Sequence, residues 1–434
     1  MNNRETITGY NEGGTMKEEL STWLRGRRGA NGRPVCAYVY DLGGLRRHAA
    51  SMADALPACA CLFYAVKANP DPRIIQALLP HVAGFEVASA GELRTVRGVS
   101  ADVPVLFGGP GKKDEELLEA IRLGVSYLHV ESLLELRKLL QYANEQKRTM
   151  RILLRVNLRS EALPSTNIAM GGKPTPFGMD ETHLEEAIRL VQAPDNAFVQ
   201  LDGFHLHSLS NNPNAQHHAA MIELYIAKVK LWQAVYGLNI RVINAGGGFG
   251  VAYDGSPNFD WLQFTELLKQ SKTVRELDET KLFFEPGRLI VADYGYYAAE
   301  VVDVKTSHGR HFAVLRGGTH HQRLPASWGH DHPFYVIPVE DWPYSFTRPG
   351  VRKESVTLVG ELCTPKDRLH SDAKVERLRA GDIVVFEKSG AYSWTISHHD
   401  FLSHPHPEFH YIGGGDEVSA AVLVLATEGQ EGDS

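Results

Sequence analysis

The 434-residue chain has no apolar run of membrane-spanning length. Charged residues interrupt every hydrophobic stretch well short of the ~20 positions a spanning helix needs. It also lacks a basic excess: 45 Lys and Arg against 52 Asp and Glu leave a net charge of -7, with no cationic stripe for nucleic acid. Cysteine is scarce, at four, and Cys59 and Cys61 are spaced as same-face strand neighbours rather than as a CxxC redox or zinc pair. A disulfide framework is therefore excluded and a reducing cytoplasm expected. The first fifteen residues lack the apolar core of a signal peptide, so residues 1–34 read as a partly disordered leader, with Met16 as a second candidate start. Residues 428–434 read as a frayed acidic tail. What remains, 43% hydrophobic and 22% charged, is long enough for two or three domains with a large core, and small-molecule chemistry is favoured.

Between residues 40 and 290 short strand-like runs alternate with amphipathic stretches, the mark of a parallel β/α architecture. Eight strands are predicted: Leu62–Val66, Phe85–Ala88, Val103–Phe107, Tyr127–Val130, Ile152–Val156, Leu201–His205, Arg241–Asn244 and Leu282–Phe284. Helical periodicity is clearest over Asp114–Leu123, Ser132–Glu145, Glu181–Val191 and His217–Tyr236. Eight such units predict one TIM barrel over 35–290. From residue 291 to 427 the pattern becomes all-β, with strands at Tyr297–Val304, Phe312–Arg316, Phe334–Ile337, Ser355–Val359, Ile383–Phe386 and Ala420–Leu425. Val35–Tyr40 precedes the first barrel helix and is assigned either to the barrel or to the β domain.

Polar candidates fall at one edge of that barrel. Lys67 follows the first strand, Glu86 and Ser89 end the second, Arg155 and Asn157 the fifth, and His205, His207 and Ser210 the sixth. Gly246–Gly250 follow the seventh and Glu285, Gly287 and Arg288 the eighth. The C-terminal strand ends of a TIM barrel carry its active site, so these residues are expected to converge. A lone strand-end lysine is usually one snorkelling to solvent. Held on a barely solvated strand end, however, its amine would lose its proton more easily and become a Schiff-base candidate. The glycines of Asn244-Ala245-Gly246-Gly247-Gly248-Phe249-Gly250 offer bare backbone N–H groups to a phosphate, and Arg288 adds a fork for phosphate oxygens. The stretch has neither the GK[ST] of a P-loop nor the dinucleotide GxGxxG spacing. Glu285 is the carboxylate that could hold a proton on the ring nitrogen of a pyridine electron sink. His207 could stack on such a ring, although a core histidine is the ordinary reading of one residue alone.

Taken in order, YAVKAN, FEVASAGEL, GFHLHSLS, NAGGGFG, EPGR, GELCTPKD and SGAY resemble the fold-type III pyridoxal phosphate enzymes, the ornithine and diaminopimelate decarboxylase family, over residues 35–410. The resemblance implies pyridoxal 5'-phosphate on Lys67, His207 on the ring face and Glu285 at the ring nitrogen. It also implies Ser210, Gly246, Gly247, Gly248, Arg288 and Tyr392 at the phosphate, with Arg155 near the ring hydroxyl and Glu86 and Gly287 in the same site. Cys363 would protonate the carbanion left by decarboxylation, reaching across a homodimer with shared active sites.

One departure matters. The family's basic-amino-acid decarboxylases place a carboxylate after that cysteine to hold a distal amine, whereas this chain has Thr364. Arg323 suits a carboxylate instead. The expected substrate contacts are His320, Arg323, Thr364 and Asp367. GFHLHS, RGGT, LPASW, LCTPKD and SHHDFLSHPHPEF resemble a siderophore-assembly branch of the family, which implies a polycarboxylate amino-acid conjugate, citryl-diaminopropionate, decarboxylated to citryl-diaminoethane. The alternatives are a diamino acid such as diaminopimelate, ornithine or lysine, a carrier-bound glutamyl group, a racemase, or a non-catalytic cofactor carrier. The histidines of Ser397-His398-His399-Asp400 and His404-Pro405-His406 tempt a metal reading, but a pocket or interface role is expected and no metal is assigned.

Overall fold

The computed structural model describes residues 16–31, 34–159 and 174–413. Eight parallel strands close into the expected barrel: Ala60–Ala65, Gly84–Val87, Val105–Phe107, Tyr127–Val130, Met150–Asn157, Val199–His205, Val242–Asn244 and Lys281–Phe284. Each predicted strand is present, shifted by at most two residues at an end. The first pairs with both the second and the eighth, and the fourth with the fifth, so the barrel has no open edge. The short strand-to-helix turns are built by local capping. Ser89 accepts from Glu92 N while the Glu92 side chain accepts from Ala88 N, a reciprocal arrangement that starts a helix immediately after the second strand. Ser132 caps the helix after the fourth strand in the same way, accepting from Glu135 N. Phe63, Leu106, Tyr127, Leu153, Val242 and Phe283 fill one layer of the barrel interior.

A second sheet follows, ordered Phe334–Ile337, Ile383–Phe386, Gly295–Ser307, Arg310–Leu315, Gly350–Val359 and Arg368–Arg379. Cys36–Asp41 joins this sheet, antiparallel to Gly295–Ser307 and parallel to Glu408–Ile412. Two of these strands, Arg368–Arg379 and Glu408–Ile412, carry no apolar alternation strong enough to be expected. Half of the first is charged because one face meets water, and its long pairing with Gly350–Val359 holds it in place. The expected strand at Ala420–Leu425 lies outside the described residues. Among the described residues no helix is long and apolar enough to cross a membrane.

Candidate active site

The first barrel strand stops at Ala65, where its N–H still donates to Pro286 O, and Val66–Ala68 turn as a single 3₁₀ step. That turn swings Lys67 outward while Val66 and Ala68 stay buried. The second sheet clamps it: Tyr392 N donates to Ala68 O, and Asn69 Nδ2 to Gly390 O. Lys67 Nζ lies 3.2 Å from Glu86 Oε2. Burial draws the amine's pKa down, but Glu86, Tyr392 and Glu285 pull it up further, so the net shift is upward. The expected easy loss of a proton is therefore corrected: in the bare pocket, neighbouring carboxylates outweigh desolvation. Lys67 shares a cavity of about 200 Å³ with His207, Ser210, Gly247, Gly248, Glu285, Gly287, Arg288, Tyr392 and Trp328. Glu86 reaches Lys67 by its ion pair, whereas Arg155 is buried against Glu131 at 2.8 Å and does not line the cavity.

Glu285, at the end of the eighth strand, is buried. Asn244 Nδ2 donates to its Oε1 at 2.6 Å and lies 3.1 Å from His129 Nε2. Desolvation, reinforced by repulsion from Glu86, pushes the carboxyl upward. His207 is half-buried and kept neutral by desolvation and by Arg155 and Lys67. Its Nδ1 accepts from Gly247 N at 3.2 Å, which fixes the ring's tautomer and plane.

The glycine loop is less bare than its sequence suggests. Gly246 N donates to Asn244 Oδ1 and Gly247 N to His207, so these two donors orient neighbouring side chains. Gly248 N–H has no partner among the described residues. A Cβ on Gly247 would meet Glu285 O at 2.4 Å, and one on Gly248, at φ +94°, would meet Leu209 O at 2.4 Å. Only glycine lets the two loops approach this closely. Arg288 is buried and its Nη1 has no partner among the described residues. Its guanidinium lies 4.2 Å from the Trp328 ring centroid and 4.9 Å from that of Tyr392, so the rings cover its face and leave edge donors free. Tyr392 takes φ +51°, a left-handed backbone that accompanies its clamp on Ala68.

A second cavity, of about 900 Å³, is lined by Arg323, Lys366, Arg368, His398, Thr364 and Asp331, among others. Pro325, Ala326, Ser327 and Gly329 also line it, so the five-residue helix Leu324–Trp328 borders both this cavity and, through Trp328, the Lys67 pocket. Arg323, Lys366 and Arg368 are exposed and have no ion-pair partner among the described residues. His320 and Asp367 do not line this cavity. His320 is fully buried, and the Asp367 carboxylate accepts from Thr319 N and Leu362 N, tying the Gly317–His321 turn to the loop that carries Cys363. Cys363 is exposed on that loop and lines neither cavity. In the histidine-rich segment, His399 stacks on Trp394 at 3.6 Å and His404 faces Glu361.

Sequence reasoning missed Trp328, His129 and Asn244 as parts of the site. Trp328 lies on a short helix of the second sheet's domain, and His129 looks like core in its strand. Asn244 could have been suspected from its place at the end of the seventh strand.

Residues 42–292 match the family described as pyridoxal-dependent decarboxylase, pyridoxal binding domain. Over 384 residues the chain is 44% identical to the 2-[(L-alanin-3-ylcarbamoyl)methyl]-2-hydroxybutanedioate decarboxylase of Staphylococcus aureus, covering 88% of this chain and 95% of that one. It is 33% identical over 392 residues to the L-glutamyl-[BtrI acyl-carrier protein] decarboxylase of Niallia circulans, covering 85% and 87%. In fold it is similar to the diaminopimelate decarboxylase of Helicobacter pylori complexed with L-lysine, with a TM-score of 0.76 at 24% identity, covering 88% and 92%.

Proposed function

The chain belongs to the pyridoxal-dependent decarboxylases, and from that premise we propose that its substrate is 2-[(L-alanin-3-ylcarbamoyl)methyl]-2-hydroxybutanedioate, citryl-diaminopropionate, which it converts to citryl-diaminoethane. The cofactor is pyridoxal 5'-phosphate. The residues present fit it: the orphaned Nη1 of Arg288, the free Gly248 N–H and the side-chain-free floor at Gly247 and Gly248 suit a phosphate. The bound cofactor supplies an electron sink for the pair left on the α-carbon when the carboxylate leaves as CO₂.

The chain's own residues do the rest. Lys67 would hold the cofactor through its amine, the position that the substrate amine would also address. Arg288, Gly248, Ser210 and Tyr392 hold the phosphate, with Gly246 and Gly247 shaping its cradle. His207, its plane set by Gly247 N–H, supports the ring face, and Glu285 keeps a proton on the ring nitrogen. Glu86 holds Lys67. Arg155, paired with Glu131 outside the Lys67 cavity, is given the ring-hydroxyl side by the family resemblance. Cys363 returns a proton to the α-carbon from its Sγ, a positioned acid of a kind worth ~10²–10⁴ in rate. Its exposure outside the Lys67 pocket of its own chain supports a homodimer in which each cysteine serves the partner's lysine. A cytoplasmic setting suits its free thiols.

The observation that carries the substrate assignment is the cavity beside Leu324–Trp328, where three cations have no ion-pair partner among the described residues and Thr364 replaces the family's carboxylate. A substrate with two carboxylates on its distal limb fits that lining. A distal ammonium would meet like charge and lose a charge-assisted hydrogen bond worth ~1.5–3 kcal/mol. Rates of CO₂ release from citryl-diaminopropionate, a carrier-bound glutamyl group, diaminopimelate, ornithine and lysine test this. Citryl-diaminopropionate is expected to be fastest, and a faster simple basic amino acid would overturn the assignment.

A further inference from the structure

Outside both cavities, behind Glu285, His129 and His205 form a buried imidazole pair with ring centroids 4.1 Å apart. Each lies near a different oxygen of the same carboxylate, and His129 Nε2 also accepts from Asn244 Nδ2 at 3.1 Å. His129 Nε2 is 3.8 Å from Glu285 Oε1 and His205 Nε2 is 3.6 Å from Oε2. His129 Nδ1 and both ring nitrogens of His205 have no hydrogen-bond partner among the described residues. Packing alone disfavours this arrangement, since each unsatisfied buried nitrogen is costly and phenylalanine would fill similar space without the cost. Among the described residues Glu285, in turn, receives a short hydrogen bond from Asn244 alone, although a charged carboxylate can accept about four.

The surrounding charges are largely paired off: Lys67 with Glu86, Arg155 with Glu131 and Lys112 with Glu135, while His207 faces the pair as a third neutral ring. Burial first keeps both rings neutral, followed for His129 by the cations Arg155, Lys112 and Lys67 and for His205 by His129 and Arg155. A neutral imidazole donates a hydrogen bond without cancelling the carboxylate's charge, whereas lysine or arginine there would neutralise it.

We propose that His129 and His205 are positioning residues for Glu285: His205 closes its Nε2–H onto Oε2, while His129, whose Nε2 accepts from Asn244 Nδ2, fixes the amide that donates to Oε1, and together they hold Glu285 as a carboxylate facing the cofactor's protonated ring nitrogen. This rests on the assignment of Glu285 to the ring nitrogen, and the experiment separates the two ideas. Holoenzyme is reconstituted with cofactor labelled with ¹⁵N in the ring, and the ring-nitrogen shift is followed against pH in wild type, His129→Phe, His205→Phe, His205→Gln and Glu285→Gln. Cofactor stoichiometry comes from borohydride trapping on Lys67.

Both Phe variants should keep one cofactor per chain while the ring nitrogen's titration midpoint falls by about one pH unit or more, a tenfold change in its protonated fraction. His205→Gln, which retains a donor, should recover much of that shift, and Glu285→Gln should lose ring protonation altogether. If Glu285→Gln leaves the nitrogen protonated, the Glu285 assignment itself falls. If Glu285→Gln acts but both Phe variants titrate like wild type, the positioning role is overturned. Stoichiometric metal that disappears with Glu285→Gln would overturn it as well, because the ligand atoms of the three side chains lie within 4.8 Å of one another. Should a Phe variant not fold, the corresponding Leu variant carries the same measurement.

Discussion

The Lys67 pocket and the Arg323 cavity share a five-residue helix as a wall but are built on opposite principles. Around Lys67 the charges are mostly buried and matched, histidines are held neutral, and glycines let backbone loops touch. Around Arg323 the cations are exposed and, among the described residues, unmatched, on loops and a strand end of the second sheet's domain. Buried matched charge suits a reaction centre that must not reorganise during turnover, because its electrostatics are already in place. Exposed unmatched charge is inexpensive to maintain in water and discriminates between ligands when one arrives. Under the proposed function the first region belongs to the reaction and the second to the choice of substrate.

If that division is right, substitutions in the two regions should fail differently. The largest effect is expected from Lys67→Ala, which should reduce turnover by about 10⁴-fold or more and abolish borohydride-trapped cofactor at that position. A label on another lysine would dissolve the distinction. Cys363→Ala should lower kcat by ~10²–10⁴ with the cofactor retained. Mixing it with Lys67→Ala under subunit exchange should restore part of the activity; exchanged mixtures that stay inactive would argue against a shared site.

Smaller effects are expected in the cationic cavity. Arg323→Ala or Arg368→Ala should raise KM for the polycarboxylate about 10-fold to 100-fold, the equivalent of one charge-assisted hydrogen bond, with cofactor content unchanged. Loss of cofactor in these variants would show that the regions are not separable. The mildest test is pH. His218 and His332 are pushed down to about 3 by burial, His320 to about 4 and His321 to about 3, so all stay neutral in the fold at pH values where the unfolded chain already binds protons. Stability should be full above the ordinary histidine range and fall as pH drops from about 6.5 toward 4, by up to ~1.4 kcal/mol per unit for each fully buried ring. Thermal melts of the cofactor-free protein across that range check the sign: a midpoint that rises on acidification would contradict it.

Much of the first region was legible in the chain. Strand runs bounded by Gly, Pro and Asn mark the barrel, and functional side chains placed just after them must share one rim because parallel strands all end there. Lys67, His207, Ser210, Glu285 and Arg288 meet in one cavity for that reason. The amphipathic stretches and their Ser caps are likewise local, since their signals lie within a few residues.

What only the tertiary structure decided are relations between distant segments. Burial of Asp367 and His320 depends on two loops closing over them, and the cationic cavity depends on Arg323, Lys366 and His398 arriving from three separate turns. Trp328 covers Arg288 across domains, and two histidines 76 positions apart converge on one carboxylate. Lys67 illustrates the same point: desolvation could be anticipated from its strand end, but the outcome was set by Glu86 and Glu285, brought alongside by barrel closure. Periodicity is written into neighbouring residues, whereas the balance between burial and opposing charge exists only once the chain has closed on itself.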